Sequence, residues 1–508
     1  MISDNTPIVV GVGQYSERVG EPAYKALSYM DLGGLAIAEA LMDTCAGKEL
    51  VKSIDTLAAI RAFEMSRPGK EPPFGGPDNI PGALAKRVGA SPERLILSTT
   101  GGQTNQQYVG EFAAEISAGK SKCAVIVGSE VISTALDLAA KGEKPDWSEK
   151  VGGTFEDRGF GLDGMMELGL FEHGASGAIP LYAIAENARR AKVAKTLDEY
   201  REEIGHLFAP FSRVASTNPH AASRVERSAK ELATVTEKNR IVAEPYARMT
   251  VARDQVNQSA AIILCSVGLA REIGIPEDKW VFIHAVTAAT ELELSARPDL
   301  SANPASIASV ETALDRAKKS MEEIQFLDFY SCFAIPVFNQ CDHFGLNVDD
   351  KRGLTLTGGL PFFGGAGNNY SAHAICEAVQ QVRASRGSYA LTGANGGWMS
   401  KYATGIYSTD PCNWSDNDRF IKLEKATNGL PRTDEPFENA TVESYTINYN
   451  KNGRDAVFIG RNGFGQRVVG NADLNHEGTR SLFEGGRPFG CRLSVVRQEN
   501  GRNIGKVI

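Results

Sequence analysis

Three stretches of this chain gather groups able to do chemistry. Tyr330 and Cys332 lie in "YSCF", His373 lies in the glycine-crowded run "GGLPFFGGAGNNYSAHAI", and Asn395 and Gly396 lie in "TGANGG". A phenol such as Tyr330 can donate to an oxyanion, or exchange a proton if its pKa is lowered. A thiol such as Cys332 attacks only as a thiolate, and a cysteine buried in a core is inert. Glycines crowded in a turn allow close backbone approach to a ligand. Asn395 with the flanking glycine N–H groups either forms an oxyanion hole or serves a tight turn. A fourth stretch, "STTGGQTNQQ", sets the hydroxyls of Ser98, Thr99, Thr100 and Thr104 around Gly102. Without a nearby base a hydroxyl is a poor nucleophile near neutral pH, and these residues suit the capping of the helix that follows.

The elements that must position these groups read as alternating strands and helices. "PIVVGVGQ", "LILSTT" and "CAVIVGSE" are apolar runs bounded by glycine or polar residues, the pattern of buried strands. Helical spacing fills "DLGGLAIAEALMDTC" and "YVGEFAAEISAGKS" between them. This alternation implies a largely parallel, layered α/β core. From about residue 147 to 240 charged helical stretches alternate with polar loops, which reads as an insertion. After it the helix and strand order resumes and repeats coarsely: "SVETALDRAKKSMEEI", "QFLDFYSCFA", the glycine loop with its helix, then "SYALTGANGG". The tail, residues 424–508, changes to short alternating runs split by "NG" turns, the signal of hairpins and of a small β-barrel.

The 508 residues carry 54 basic and 62 acidic side chains, a net charge of −8, which argues against a nucleic-acid or anionic-membrane partner. No stretch reaches the roughly 18 apolar residues of a membrane span, and "MISDNTPIVVGVGQ" lacks the basic and apolar regions of a signal peptide. The eight cysteines contain no CxxC pair, so neither a disulfide framework nor a metal site is expected, and they read as reduced thiols of a cytoplasmic protein.

Taken in order, several segments resemble the thiolase superfamily, and within it the sterol-carrier-type thiolases and thiolase-like proteins labelled acetyl-CoA acetyltransferases. "AAEISAGKSKCAVIVGSE" resembles the helix and strand after the family's nucleophile, and "SRVASTNPHAA" the "NNPY" segment of the loop domain. "DQVNQSAAIILCS" is similar to "DGAAA", "FLDFYSCFAIP" to "HDCF" or "NEAF", and "TGGLPFFGGAGNNYSAHAI" to "NxxGGxxxxGHPxGxxG". The resemblance implies two duplicated halves stacked as a five-layer α/β/α/β/α core. Residues 1–270 would form the first half with the loop domain inserted at about 147–240. Residues 271–412 would form the second half, and 424–508 an OB-like C-terminal domain. It also implies a coenzyme A thioester as substrate or ligand, with no bound cofactor, and either a homodimer or, because of the added domain, a monomer.

A thiolase needs a nucleophilic cysteine, an activating histidine and a second cysteine. Aligned on the resemblance, these columns fall on Gly102, on Gly365 and in Thr392–Gly397, none of which supplies the expected group. Cys332 matches the cysteine of "HDCF", and Tyr330 replaces its histidine. The candidate catalytic set is therefore Tyr330, Cys332, His373 and Asn395, with Gly102, Gly365 and Gly396 as loop positions. Arg213, His220 and Arg224 are candidate substrate contacts in the loop-domain segment, where solvated polar residues are the plainer explanation. Three functions follow: an acyl-CoA-handling acyltransferase relative with altered or lost thiolase chemistry, a thiolase-like CoA aldolase or retro-aldolase using Tyr330, and a non-catalytic binding module for CoA or a macromolecule.

Overall fold

The computed structural model describes residues 2–163, 165, 167–414, 419–425, 427–451 and 453–508. The first half supplies strands β1 (Pro7–Ser16), β2 (Thr56–Ala59), β3 (Arg94–Leu97), β4 (Cys123–Val131) and the two-residue β5 (Glu156–Asp157). A hairpin of β6 (Ile241–Ala243) and β7 (Tyr246–Ala247) precedes β8 (Asn257–Ser266). The second half adds β9 (Val281–Thr290), β10 (Phe326–Asp328), β11 (Tyr389–Gly396), β12 (Lys401–Ser408) and β13 (Phe420–Lys422). Hydrogen bonds connect these strands in the order β10-β11-β12-β9-β1-β8-β4-β2-β3-β5, with β13 on β9.

The expectation of a largely parallel core needs correction, because the sheet is mixed. β2 pairs parallel with β3 and β4, and β10 with β11. β8 runs antiparallel between β1 and β4, and β12 antiparallel between β9 and β11. The tight turn between β11 and β12 permits nothing else, since a parallel pair needs a long crossover.

The layering is as expected. Helices Thr104–Ser117 and Tyr370–Ala384 each touch strands of both halves and form the middle layer. Val109, Phe112 and Ile116 from the first pack with Ile375, Val379 and Val382 from the second and with strand residues such as Val12, Ile126 and Ile283. Helix Tyr29–Asp43 covers the outer side of β1, where β-carbons at Gly11 and Gly13 would stand 2.3 and 2.2 Å from the carbonyl oxygens of Ala40 and Ala36. Helix Pro304–Ala317 covers β9 and β12 on the other outer side. Strands covered on both faces have no polar side to show, which is why β1 and β4 read as continuous apolar runs.

The tail closes into a five-stranded barrel of β14 (Asn439–Asn450), β15 (Gly453–Asn462), β16 (Arg467–Ala472), β17 (Arg492–Arg497) and β18 (Asn503–Val507). The ring order is β14-β15-β16-β18-β17 and back to β14, with β16 and β18 parallel and helix Glu477–Glu484 between β16 and β17. That is the Greek-key order of an OB fold. Of the "NG" turns, Asn462–Gly463 joins β15 to β16 and Asn500–Gly501 joins β17 to β18, while Asn452 of another lies outside the described residues.

Tyr445, Ile447, Phe458 and Phe483 fill the barrel, whereas Val457 and Ile459 of β15 point out of it into the core of the α/β body. Val469 of β16 packs against that body core too. The face of β15 and β16, which in OB folds commonly binds oligonucleotides, is thus covered. The aromatics Tyr445 and Phe458 are fully buried, so neither offers a stacking platform. Asn448 of β14 also pairs with Ala243 of β6, so the barrel and the body share a sheet.

Two stretches of strand in the large sheet, whose end strands are β5 and β10, gain a neighbour from short segments of the chain itself. β5 lies parallel along β3, pinned by Arg94 to Glu115 at 2.8 Å and to Glu156 at 3.2 Å. β13 lies along β9, and the Phe420 ring sits on helix Thr104–Ser117 where a β-carbon at Gly110 would stand 2.3 Å from it. Edge strands left uncovered invite pairing with another chain.

Candidate active site

The turn after β3, the segment after β10 and the end of β11 meet at one point. A β-carbon built at Gly102 would stand 2.4 Å from the Tyr330 hydroxyl and 2.6 Å from the main-chain oxygen of Asn395. The place where a nucleophile's side chain would begin is therefore filled by the phenol. At Gly396 the corresponding atom would stand 1.9 Å from Gln103 Oε1, and at Gly101 2.1 Å from the same oxygen. Gln103 thus fills the space between the two loops, and its Oε1 is buried without a partner.

Asn395 organises the polar side of the centre. Its Nδ2 donates to the Tyr182 hydroxyl at 2.9 Å and lies 3.8 Å from Cys332 Sγ, while its Oδ1 has no partner. Tyr182 is held by stacking on Phe333, ring centroids 4.3 Å apart. The Tyr330 hydroxyl makes no hydrogen bond to a described residue, and its ring meets Tyr370 edge-on at 5.2 Å. The hydroxyls of Tyr370 and Thr357 are 2.5 Å apart, and Asp328 Oδ2 accepts from Leu356 N at 2.7 Å and from Thr355 Oγ1 at 3.1 Å. Asp328 Oδ1 is buried and unpartnered.

Burial governs the acid–base character of these groups, because a buried charge is disfavoured unless paired. It pushes the Cys332 thiol up to about 12 against the hydrogen bonds it receives, although Cys332 stands just before a helix N-terminus. It pushes Tyr330 upward too, with Cys332 adding to the shift. Asp328 rises to about 6 for the same reason, held back by its four donors. Neither a thiolate nor a phenolate is thus present at neutral pH without a ligand to help form it.

The structure brings Tyr330, Cys332, Asn395, Gly102 and Gly396 together and places the other candidates elsewhere. A β-carbon at Gly365 would face Arg253 O at 3.3 Å and Leu360 at 3.4 Å, and the Gly365 N–H donates to that same carbonyl. His373 is fully buried on the far side of Phe363 and Tyr370. Glu377 accepts from Gln14 Nε2 and from Asn218 Nδ2, each at 3.0 Å, which turns Gln14 Oε1 toward His373 Nδ1 at 2.6 Å. Nδ1 therefore carries the hydrogen and Nε2 the lone pair, and burial keeps the ring neutral.

His220 lies beside that cluster, 3.1 Å from Ser16 Oγ, lowered to about 4 by burial. Arg213 and Arg224 point to solvent in ion pairs with Glu226 at 2.8 Å and Glu21 at 3.0 Å. Arg18, paired with Glu21, donates to the carbonyls of Pro219 and Ala221 on either side of His220, so His220 and Arg224 flank one ion pair while Arg213 pairs with Glu226. Among the described residues no cluster of three or more His, Cys, Asp or Glu could hold a metal ion.

Sequence reasoning missed Tyr182, Gln103 and Asp328. Gln103 adjoins Gly102 in the quoted loop, and its neighbourhood was the available signal. Tyr182 sits in the apolar stripe of helix Ala178–Lys192, indistinguishable there from core. Asp328 lies inside "QFLDFYSCFA", which reads as one strand, whereas the strand ends at Asp328.

No protein-family model and no curated protein matches the chain. Solved structures do. A monomeric SCP2-thiolase-like protein type 1 of Mycobacterium smegmatis is 36% identical over the whole of both chains, with a TM-score of 0.83. The Ltp2–ChsH2(DUF35) aldolase is 16% identical, covering 79% of this chain and 97% of that one at a TM-score of 0.57. The dimeric peroxisomal thiolase of Saccharomyces cerevisiae is 10% identical, covering 81% of this chain and 99% of that one, also at 0.57. The last two share the fold. The first, matched end to end at that identity, places the chain in the thiolase superfamily, among its SCP2-thiolase-like proteins.

Proposed function

We propose that this protein handles acyl-CoA thioesters without forming an acyl-enzyme. The observation that carries this reading is the Tyr330 hydroxyl lying over Gly102, where a nucleophile's side chain would begin. A coenzyme A thioester remains the ligand that the fold and the convergence of its loops suit, with Tyr330 and Asn395 facing the reacting end. The test is calorimetric titration with CoA and acetyl-CoA beside an assay of acetoacetyl-CoA thiolysis. Binding without thiolysis is expected. Thiolysis at an ordinary thiolase rate, or no binding of either compound, overturns the proposal.

A second reading is retro-aldol cleavage, favoured by the unbonded Tyr330 hydroxyl and by the shared fold with an aldolase. A base would take the β-hydroxyl proton, the Cα–Cβ bond would break, and its electron pair would pass into a thioester enolate that is then protonated at Cα. Tyr330 would exchange one of those protons. Product analysis by mass spectrometry after incubation with a 3-hydroxyacyl-CoA tests it. Cleavage lost on Tyr330→Phe is the expected result, and full activity in that variant removes Tyr330 from the chemistry.

The assembly proposed is a monomer, because the SCP2-thiolase-like protein matched end to end is described as monomeric and because β5 covers β3 while β13 covers the part of β9 beyond its pairing with β1. Light scattering coupled to size exclusion is expected to return the mass of one chain at micromolar concentration. A stable dimer there would sink this reading.

A further inference from the structure

We infer that the C-terminal barrel is a working part of the reaction centre, acting through Arg467 and Arg297 to fix the β11–β12 turn. The turn itself raises the question. Gly397 to Ser400 close a hairpin with the Ser400 N–H on the Gly397 carbonyl at 3.0 Å, and both central residues, Trp398 and Met399, have positive φ, 55° and 66°. Such turns favour asparagine and glycine at those positions because a β-carbon crowds the backbone there. Two bulky residues hold this strained conformation only if their surroundings impose it.

Arg297 supplies that constraint. It is 1% exposed, and among the described residues no carboxylate lies within salt-bridge distance of it. Its Nη2 donates to the carbonyls of Met399 at 3.0 Å and Trp398 at 3.4 Å, and its Nε to Leu292 O at 2.9 Å. One guanidinium thus grips both strained peptide units. The ring of Trp398 is set against Phe171, 5.4 Å between centroids, and Asn303 Nδ2 adds a bond to Met399 O at 3.2 Å.

The barrel in turn holds Arg297. Arg467, the first residue of β16 and 2% exposed, donates through Nη1 to the Arg297 carbonyl and to Ser295 O at 3.1 Å. Its Nε is anchored on Glu443 of β14 at 2.8 Å. From the barrel the chain of contacts runs Glu443, Arg467, Arg297 and the turn. One residue before the turn's first glycine stands Gly396, against Gln103, and before it Asn395, which touches Cys332 and faces Gly102. Arg297 and Arg467 are positioning residues, since neither meets the reacting groups directly.

The experiment reads the hairpin at Cys332 and does not depend on which reaction the centre performs. Full-length protein is treated with iodoacetamide and the rate at each cysteine is followed by peptide mass spectrometry. Exposed Cys45 is the internal standard, and Cys376, buried in the middle layer, reports general loosening. Arg467→Met and Arg297→Lys are each expected to raise the Cys332 rate at least tenfold while Cys376 stays protected. Adding Trp398→Asn, which suits a positive φ at this partly buried position, is expected to return the rate to within threefold of the parent protein. Unchanged Cys332 reactivity in Arg467→Met, a parallel rise at Cys376, or failure of Trp398→Asn to restore protection overturns the inference. Should Arg297→Lys not fold, the Arg467→Met pair decides alone.

Discussion

A cysteine placed at Gly102 is expected to destabilise the protein and to remain unacylated. The new β-carbon would meet the Tyr330 hydroxyl at 2.4 Å, the ring carbon that bears it at 2.8 Å and the main-chain oxygen of Asn395 at 2.6 Å. A side chain can swing away, but the carbonyl belongs to β11 and is fixed by its pairing with Tyr402 across the hairpin. Overpacking of this kind costs typically about 1–3 kcal/mol, and a rigid main-chain contact puts this case at the upper end. Thermal melting of Gly102→Cys should show a fall of several degrees, and intact mass after incubation with acetyl-CoA should show no adduct. Adding Tyr330→Ala should recover part of the lost stability, because two of the three contacts disappear. A variant that melts like the parent and gains an acetyl group would show that the space is open, contrary to the geometry.

The second large effect concerns pH. Glu130 is 2% exposed under the glycine loop, where a β-carbon at Gly367 would stand 2.1 Å from its Oε1. Burial pushes its carboxyl up to about 8, only partly countered by the Phe63 and Asn368 N–H groups. Because the folded value lies above the unfolded one, 4.5, the native state holds a proton that the unfolded chain has released. Stability contributed by that proton is complete below about pH 4.5 and is lost as pH rises toward 8. The total is on the order of 5 kcal/mol. Glu186, raised to about 7 by burial between Tyr200 and Tyr246, adds to the same trend. Glu130→Gln keeps the neutral shape, so it should melt about 3 °C or more above the parent at pH 8.5 and near it at pH 5. Equal melting temperatures of the two proteins at both pH values would show that Glu130 ionises freely.

Much of the fold was legible because its strands are buried on both faces. "PIVVGVGQ" and "CAVIVGSE" can be little else, and the barrel announced itself by alternation and "NG" turns. Strand direction was not legible: nothing in "NQSAAIILCS" says that it enters between β1 and β4 reversed. For the site, the loss of thiolase groups at Gly102 and Gly365 was readable by alignment with the family. What replaced them was not. Whether Tyr330 points at Gly102 or away from it depends on the register of two loops from different halves. His373 looked available from its place at the start of a helix, yet the aromatic layer of Phe363 and Tyr370 separates it from the centre. Arg467 and Arg297 carry no motif at all, since their meaning lies in a docking geometry between segments 170 positions apart.

The strand β13 belongs both to the connection into the barrel and to the sheet of the second half. A hinged module needs slack at its root, and here the connection that follows β13 is itself tied down, by the Leu430 N–H on Ala296 O at 2.8 Å and by a bridge of Arg432 to Arg467. Swinging the barrel would mean breaking those ties, pulling Val457 and Ile459 out of the body core and breaking the shared pairing at Asn448 as well. A barrel docked in this way is part of one body with the core, and any ligand proposed for the centre would have to displace single side chains such as Gln103, whose Oε1 is buried without a partner.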